Sequence, residues 1–232
     1  SINSSRKIPE ARLFELSTIY LPADGEQLPD ERETLTWGMY GGDADFFGLK
    51  GSIEELLKAM GITDYEFRAE TRAPSFHPGR TARLWIKING EYRACAILGE
   101  IHPVVAEKNE CPLRTYVGIA DVASLIEAST THRQYKPLPK FPAVTRDLAV
   151  VVKDEVYVAD LIRAIRQKGG EFLEDVQIFD VYKGTQVPDG MKSTAFALSF
   201  RVSDRTLKDE DINPVMDRIL KCLEKSFGAQ LR

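Results

Sequence analysis

The sequence predicts an α+β protein made of two mostly antiparallel domains. Residues 193–202 alternate apolar side chains with small or polar ones, and this period of two is typical of a strand with one apolar face. Residues 143–232 predict the order strand, helix, strand, strand, helix, strand, which is the ferredoxin-like (βαββαβ) arrangement. Residues 131–142 contain three prolines and no apolar period, so we expect a semi-rigid linker there.

The first predicted domain, residues 1–130, begins with a polar tail over residues 1–10 and consists mostly of strands. The alternating segments predict strands at 13–21, 34–40, 65–69, 81–88, 91–98 and 115–121. Asn89-Gly90 suits the type I′ turn of a hairpin, and it joins the fourth and fifth of these strands. We therefore expect an antiparallel sheet.

Few helices are predicted in this domain. One runs from Ser52 to Gly61, because Ser52 and Glu55 have the spacing of a capping box and glycine commonly ends a helix. A short helix follows His102, where proline occupies a favoured first-turn position, and another is predicted at 122–128.

The second predicted domain, residues 143–232, carries the ferredoxin-like order. Its helices are predicted at 158–168 and from Asp209 or Asp211 to Lys225, where apolar residues recur at helical spacing. Its strands are predicted at 147–152, 176–182, 193–202 and 229–232. Both helices of this fold lie on one face of the sheet, so we expect the other face to be open.

Composition narrows the classes of function. The chain is 43% hydrophobic and 28% charged, with a net charge of −4, as in a water-soluble globular protein. No apolar run approaches the ~20 residues of a membrane helix and no secretory signal is evident, so we expect a cytoplasmic protein without a membrane partner. Residues 134–232 have a net charge near zero, and any nucleic-acid contact must therefore be local.

No catalytic or metal-binding motif is evident. The three cysteines lack metal-ligand spacing, and we expect them to be free thiols. His77 and His102 each precede a proline and are not spaced as ligands, so we interpret them as turn-forming residues or as parts of an inactive cleft. Glu15 and Glu100 share that interpretation. We expect no catalytic residue and no metal site.

The open face of the second domain is suited to RNA. Small side chains on the strand at 193–202 leave room for a flat ligand, and the cations Lys183, Lys192, Arg201 and Arg205 flank the strand and the glycine- and proline-rich loop before it. Such a surface can accept single-stranded RNA.

Spaced motifs in both domains resemble one family, the bacterial phenylalanyl-tRNA synthetase β subunits. In the second domain these are P-A-V-T-R-D-L-A-V-V-V, I-F-D-V-Y-K-G, G-M-K-S and D-R-T-L, which resemble the ferredoxin-fold anticodon-binding domain over residues 135–232. In the first domain L-F-E-L, L-K-G, F-H-P-G-R and L-G-E-I-H-P are similar to the end of the catalytic-like module. The chain is identified as a C-terminal piece of such a subunit.

The resemblance implies a fold and a set of partners. The first domain would be a class II synthetase-like module that is catalytically inert and packs against a catalytic α subunit. The complete enzyme would contain two α and two β subunits and would join phenylalanine to its tRNA with ATP and magnesium. We therefore expect a subunit of a ligase whose C-terminal piece binds no cofactor itself and catalyses nothing alone.

Two residues, Tyr182 and Ser193, are first candidates for contact with the anticodon of phenylalanine tRNA, and Asp180 is a weaker one. The Tyr182 ring can stack on an unpaired base, and the Ser193 hydroxyl can bind a base edge or a ribose. Asp180 can accept from the Watson–Crick edge of guanine, the first anticodon base of this tRNA. The motif positions implied by the resemblance support Tyr182 and Ser193. Without it, we favour the interpretation of Tyr182 as a half-buried strand tyrosine, and the structural alternative for Ser193 is a loop-closing hydroxyl.

Five further residues are weaker candidates. Phe179 is a second stacking candidate, which we expect to point out of the sheet with Gln177 and Val181 and which is equally suited to cover the sheet against a neighbouring domain. The candidates for phosphate contacts are Lys183, Lys192, Arg146 and Arg205. Arg146 is as readily interpreted as the partner of a neighbouring carboxylate, and Arg205 as an anchor of the D-R-T-L turn.

Two other functions remain open on this reasoning. Ferredoxin-like domains also bind small effectors, so an amino-acid sensor fits the fold. The last domain is also consistent with a purely structural role in which it packs against a protein partner.

Overall fold

The computed structural model describes residues 6–22, 25, 28–112, 114–130 and 137–232. The chain divides into two compact units, residues 1–135 and 136–232, which we call unit 1 and unit 2. Each unit combines an antiparallel sheet with helices, so the predicted α+β class is confirmed. The predicted linker at 131–142 and the tail at 1–10 lie partly outside the described residues, and the domain boundaries stay a prediction.

Unit 1 is built on a six-stranded antiparallel sheet in the order β1-β2-β6-β5-β4-β3. Its strands are β1 (Ala11–Leu21), β2 (Asp30–Tyr40), β3 (Tyr65–Ala69), β4 (Phe76–Ile88), β5 (Glu91–Ile101) and β6 (Tyr116–Asp121). Its helices are α1 (Phe46–Ala59), α2 (Pro103–Lys108) and α3 (Val122–Ala128). Leu49, Ile53 and Leu57 of α1 are buried at a spacing of about one turn and contribute to the core.

The start of α1 differs from the prediction at Ser52. The helix begins six residues earlier, and the carboxylate of Asp45 caps it by accepting from the backbone N–H of Gly48 at 2.6 Å. Ser52 lies inside the helix, where its hydroxyl donates to the carbonyl of Gly48 at 3.0 Å. A serine inside a helix can bond to the carbonyl of the preceding turn. The sequence around such a serine can look the same as the sequence around a serine that caps the helix.

The hairpin of β4 and β5 turns at Asn89-Gly90 as predicted, and both strands are longer than predicted. Asn89 and Gly90 both have positive φ, at 52° and 89°, as a type I′ turn requires. β4 begins at Phe76 with an irregular pairing between Phe76 and Thr81, where the F-H-P-G-R segment interrupts the register. Proline has no N–H to donate and is tolerated at such interruptions.

Unit 2 has the ferredoxin-like topology, with strand order β10-β7-β9-β8. Its elements are β7 (Val144–Lys153), α4 (Val158–Gly169), β8 (Leu173–Tyr182), β9 (Met191–Phe200), α5 (Asp209–Phe227) and β10 (Gln230–Leu231). Lys208 is the N-cap of α5, and Asp211 accepts from its backbone N–H at 2.9 Å. The predicted cap at Asp209 or Asp211 is therefore wrong, because Asp211 acts from the third helical position.

Both helices of unit 2 lie on one face of its sheet. The core contains Phe196, Leu198 and Phe200 of β9 together with apolar residues of α4 and α5, including Leu161, Ile165, Ile212, Val215, Ile219 and Leu223. No helix among the described residues is long and apolar enough to span a membrane.

Candidate nucleic-acid interface

The face of the unit 2 sheet opposite its helices carries mostly small and polar side chains, and we call it the open face. Directly paired residues of antiparallel strands point to the same face. Ser193, Ala195 and Ala197 of β9 pair with residues 151, 149 and 147 of β7 and with Tyr182, Asp180 and Gln177 of β8. The pairing thus brings Tyr182, Asp180 and Ser193 together on one face.

A β-bulge interrupts β8 at Phe179. The register moves from Ile178 opposite Phe196 to Asp180 opposite Ala195, so Phe179 has no partner in β9. Gln177 shares the open face, whereas Val181 pairs with Thr194 on the other face. The expectation that Gln177, Phe179 and Val181 point the same way is therefore wrong, because one extra residue reverses the alternation. Phe179 is 60% exposed and has room to stack.

Tyr182 is half-buried, and its ring rests against the loop that follows β8. A Cβ placed on Gly184 would lie 2.5 Å from the Tyr182 hydroxyl oxygen, so only glycine lets the ring lie where it does. On another side the guanidinium carbon of Arg232 lies 5.7 Å from the ring centroid, within the range of a cation–π contact. The ring is thus held by the loop and by Arg232.

Ser193 and Lys192 are less accessible than the sequence analysis expects. Ser193 is 3% exposed, and its hydroxyl accepts from Nη1 of Arg232 at 3.3 Å. Lys192 is 8% exposed, and its Nζ donates to the carbonyl oxygen of Asp154 at 2.7 Å. Burial lowers the pKa of Lys192 from its ordinary value. Lys192 thus joins β9 to the loop that follows β7. Its role in RNA binding stays a prediction.

The other candidate cations form ion pairs. Lys183 lies 2.5 Å from Asp154, and this contact lowers the pKa of the Asp154 carboxyl. Arg146 pairs with Leu198 in the register, so it lies on the helix side of the sheet, where it binds Asp209.

Arg205 donates to Asp211 at 2.9 Å near the start of α5, and its pKa is raised by that contact. These contacts favour the structural interpretation of Arg146 and Arg205, and their contact with RNA stays a prediction.

Arg232 is a residue that the sequence analysis missed. Its backbone N–H donates to the carbonyl of Ala149 at 3.0 Å, which extends the pairing of β10 with β7. The same strand was predicted from the sequence, but the contacts of Arg232 with Tyr182, Ser193 and Gln186 depend on the pairing of β7, β8 and β9. The sequence therefore shows only that an arginine lies in the last predicted strand, and it does not show these contacts.

Of the four polar residues that the sequence singles out in unit 1, His77, His102 and Glu100 have structural contacts. Nδ1 of His77 accepts from the N–H of Gly79 at 3.1 Å, and Nδ1 of His102 accepts from Val104 at 3.3 Å, as turn-forming residues do. Glu100 is buried and accepts from Arg80 at 2.7 Å, whereas Glu15 is exposed on β1. Among the described residues no cluster of three or more His, Cys, Asp or Glu side chains is arranged to hold a metal ion.

Unit 1 exposes an apolar strip along β1, the edge strand of its sheet. Phe14 is 80% exposed, Tyr20 62% and Leu16 60%, all on one face of the strand, and Leu13 on the other face is 62% exposed. One groove of about 570 Å³ lies against β1, β2 and β6, and a second of about 390 Å³ lies between β1 and α1. Exposed apolar surface of this extent marks an interaction surface.

Residues 139–232 match the family described as ferredoxin-fold anticodon binding domain. Residues 1–121 match the family described as phenylalanyl tRNA synthetase beta chain CLM domain. The chain belongs to the phenylalanyl-tRNA synthetase β-chain family. The two matches follow each other along the chain and cover most of it, which confirms the resemblance seen in the spaced motifs.

Three relatives illustrate the similarity to this family. The phenylalanine–tRNA ligase β subunit of Clostridium tetani is 44% identical over 100% of this chain, which corresponds to 29% of the relative. Those of Clostridium acetobutylicum and Symbiobacterium thermophilum are 41% and 43% identical over 99% of the chain and 28% and 26% of their own lengths. The chain thus spans less than a third of these relatives, and the comparisons do not favour an amino-acid sensor.

Proposed function

We propose that this chain is the C-terminal part of the β subunit of a phenylalanine–tRNA ligase and that unit 2 binds the anticodon of phenylalanine tRNA. One observation carries the proposal: a tyrosine ring held on the open face of a ferredoxin-fold anticodon binding domain. An aromatic ring that stacks on one unpaired base contributes ~1–3 kcal/mol to binding of single-stranded nucleic acid. The open face supplies that platform next to hydrogen-bonding groups.

The residues around Tyr182 have the chemistry to bind guanine. Asp180 is exposed on the same face, and a carboxylate accepts from the N1–H and amino groups of guanine's Watson–Crick edge. Phe179 offers a second aromatic ring at the edge strand of the sheet. Ser193 is covered and bonded to Arg232, so in this proposal its hydroxyl binds the nucleotide only after Arg232 moves.

Unit 1 has a supporting function in the same proposal. It packs against a catalytic α subunit, and the exposed apolar strip of β1 is the surface that supports this assignment. The complete enzyme contains two α and two β subunits and works in the cytoplasm. In this proposal the complete enzyme uses ATP and magnesium, and no catalytic step is assigned to this chain.

Binding of phenylalanine tRNA to the complete ligase tests the function of unit 2. Tyr182→Ala should weaken binding about 5- to 150-fold, which is the loss of one stacked base. Tyr182→Phe keeps the ring and is the matched control, with a change of less than about threefold. Activation of phenylalanine by ATP should be unchanged in both variants. Equal loss of activation and tRNA binding would overturn this division of functions.

Association of the two subunits tests the function of unit 1. Phe14→Asp places a charge on the apolar strip and should weaken assembly of the β subunit with α, measured by sedimentation velocity. Tyr157→Asp is the matched control, because Tyr157 is a similarly exposed aromatic residue of unit 2. If both variants assemble like the wild type, this strip is not the α-subunit interface.

A further inference from the structure

Arg232 differs in its partners from Lys183, Arg146 and Arg205, which each pair with a carboxylate. Its guanidinium donates to Gln186 at 2.8 Å and to Ser193 at 3.3 Å, and it lies over the Tyr182 ring. All three partners are neutral. Among the described residues no carboxylate forms an ion pair with Arg232, so its positive charge is not compensated by a neighbouring side chain.

The four cations that the sequence predicts as phosphate contacts are each paired with a carboxylate or buried. Lys183 is compensated by Asp154, Arg205 by Asp211, and Arg146 by Asp209 on the helix side of the sheet. Lys192 is buried and bonded to a backbone carbonyl. A phosphodiester that approaches one of the paired cations must compete with a carboxylate already in contact, whereas a phosphodiester that approaches Arg232 meets an unpaired guanidinium.

We propose that Arg232 is an RNA-binding residue of the open face: it contacts the phosphodiester of the nucleotide stacked on Tyr182 while it holds the Tyr182 ring in place. This inference rests on the proposed anticodon function of unit 2. The ligand of Arg232 is a phosphate group of single-stranded RNA.

The geometry suits this role in two ways. The backbone of Arg232 is fixed by its hydrogen bond to Ala149 at 3.0 Å, so the side chain starts from a rigid strand. Nη1 and Nη2 each carry two hydrogens, and the bonds to Ser193 and Gln186 use one on each. The remaining N–H groups and the charge stay available for a phosphate on the exposed side of the guanidinium.

The salt dependence of tRNA binding separates a phosphate contact from a structural role. Loss of one phosphate contact to single-stranded RNA flattens the plot of log affinity against log salt by about 0.7. Arg232→Gln keeps an amide donor for Ser193 but removes the charge. In the complete ligase it should weaken phenylalanine tRNA binding about tenfold at 50 mM salt, and this factor should fall about 2.6-fold by 200 mM salt.

Two matched variants complete the experiment. Arg232→Lys keeps the charge and should retain the wild-type salt slope. Arg218→Gln removes an exposed arginine of α5, on the helix layer, and should change neither affinity nor slope. Thermal unfolding of all variants identifies any loss of folded protein, and titrations are restricted to temperatures where each variant is folded.

The outcomes distinguish this inference from the function on which it rests. If Tyr182→Ala weakens binding but Arg232→Gln binds as the wild type does, or weakens binding with an unchanged salt slope, the phosphate contact is overturned and the anticodon function stands. If the wild type and Tyr182→Ala bind phenylalanine tRNA equally, the anticodon function itself fails. A flattened slope for Arg232→Gln together with weakened binding by Tyr182→Ala supports both.

Discussion

Replacing Gly184 with alanine tests whether the position of the Tyr182 ring matters for RNA binding. The added Cβ would lie 2.5 Å from the hydroxyl oxygen, 2.7 Å from Cζ and 3.3 Å from Cε1 of that ring. Ordinary contact needs about 3.5 Å, so the ring must move by about 1 Å at its outer end. The substitution therefore keeps the aromatic group and displaces it.

The displacement should affect binding much more than stability. Tyr182 is half-buried and the crowded atoms are at the free end of its side chain, so we expect a loss of less than about 1 kcal/mol of unfolding free energy. Stacking needs the ring face parallel to the base, so binding of phenylalanine tRNA should weaken towards the ~1–3 kcal/mol of one lost stack, about 5- to 150-fold.

Two measurements on the complete ligase check this prediction. Filter binding gives the tRNA affinity, and thermal unfolding gives the stability of the same preparation. Tyr182→Ala marks the full loss of the ring. The reasoning is refuted if Gly184→Ala binds as tightly as the wild type while Tyr182→Ala is weakened, because the position of the ring would then be irrelevant.

The remaining predictions concern stability. Gly51→Ala should stabilise unit 1 by about 0.5–1 kcal/mol in chemical denaturation, because Gly51 lies inside α1 and a Cβ there has no neighbour within 4 Å; a destabilised variant would contradict this. Leu198→Ala removes a fully buried side chain and should cost about 2–5 kcal/mol by the same assay, so a loss below 1 kcal/mol would contradict the core assignment. The Lys208 N–H and Arg205 lower the pKa of Asp211, so Asp211→Asn should melt earlier at pH 7, and its difference from the wild type should shrink below about pH 3.9, the usual aspartate pKa, and vanish below the lowered pKa of the folded state. A difference that persists in acid would show that the Asp211 charge is not its source.

Local sequence patterns predicted most of the fold. The period of two predicted between residues 193 and 202 and the Asn89-Gly90 turn depend on neighbouring residues only; the structure has the turn, and it has the strand at Met191–Phe200. α1 shows where such patterns mislead, because Asp45 and Ser52 both precede apolar residues at helical spacing. Only the hydrogen bond from Gly48 to the Asp45 carboxylate distinguishes them.

The candidate site was predicted less completely, since its accessibility depends on residues far apart in the chain. The motif positions indicated Tyr182 and Ser193, and only the pairing of β8 with β9 shows that both share one face with Asp180. The bulge at Phe179 reversed the expected direction of Val181, and no local pattern marks it. Lys192 was expected to be a surface cation, but its Nζ is bonded to a carbonyl 38 residues away.

By itself the sequence determined the α+β class, the order of strands and helices in unit 2 and the family, because these follow from periodicity and from spaced motifs. Only the tertiary structure decided which charges are compensated and which hydroxyls are covered. Arg232 lies 39 residues from Ser193 in the sequence, and the two meet because β10 and β9 both pair with β7. Such contacts arise from the closure of a sheet, which no local pattern of residues encodes.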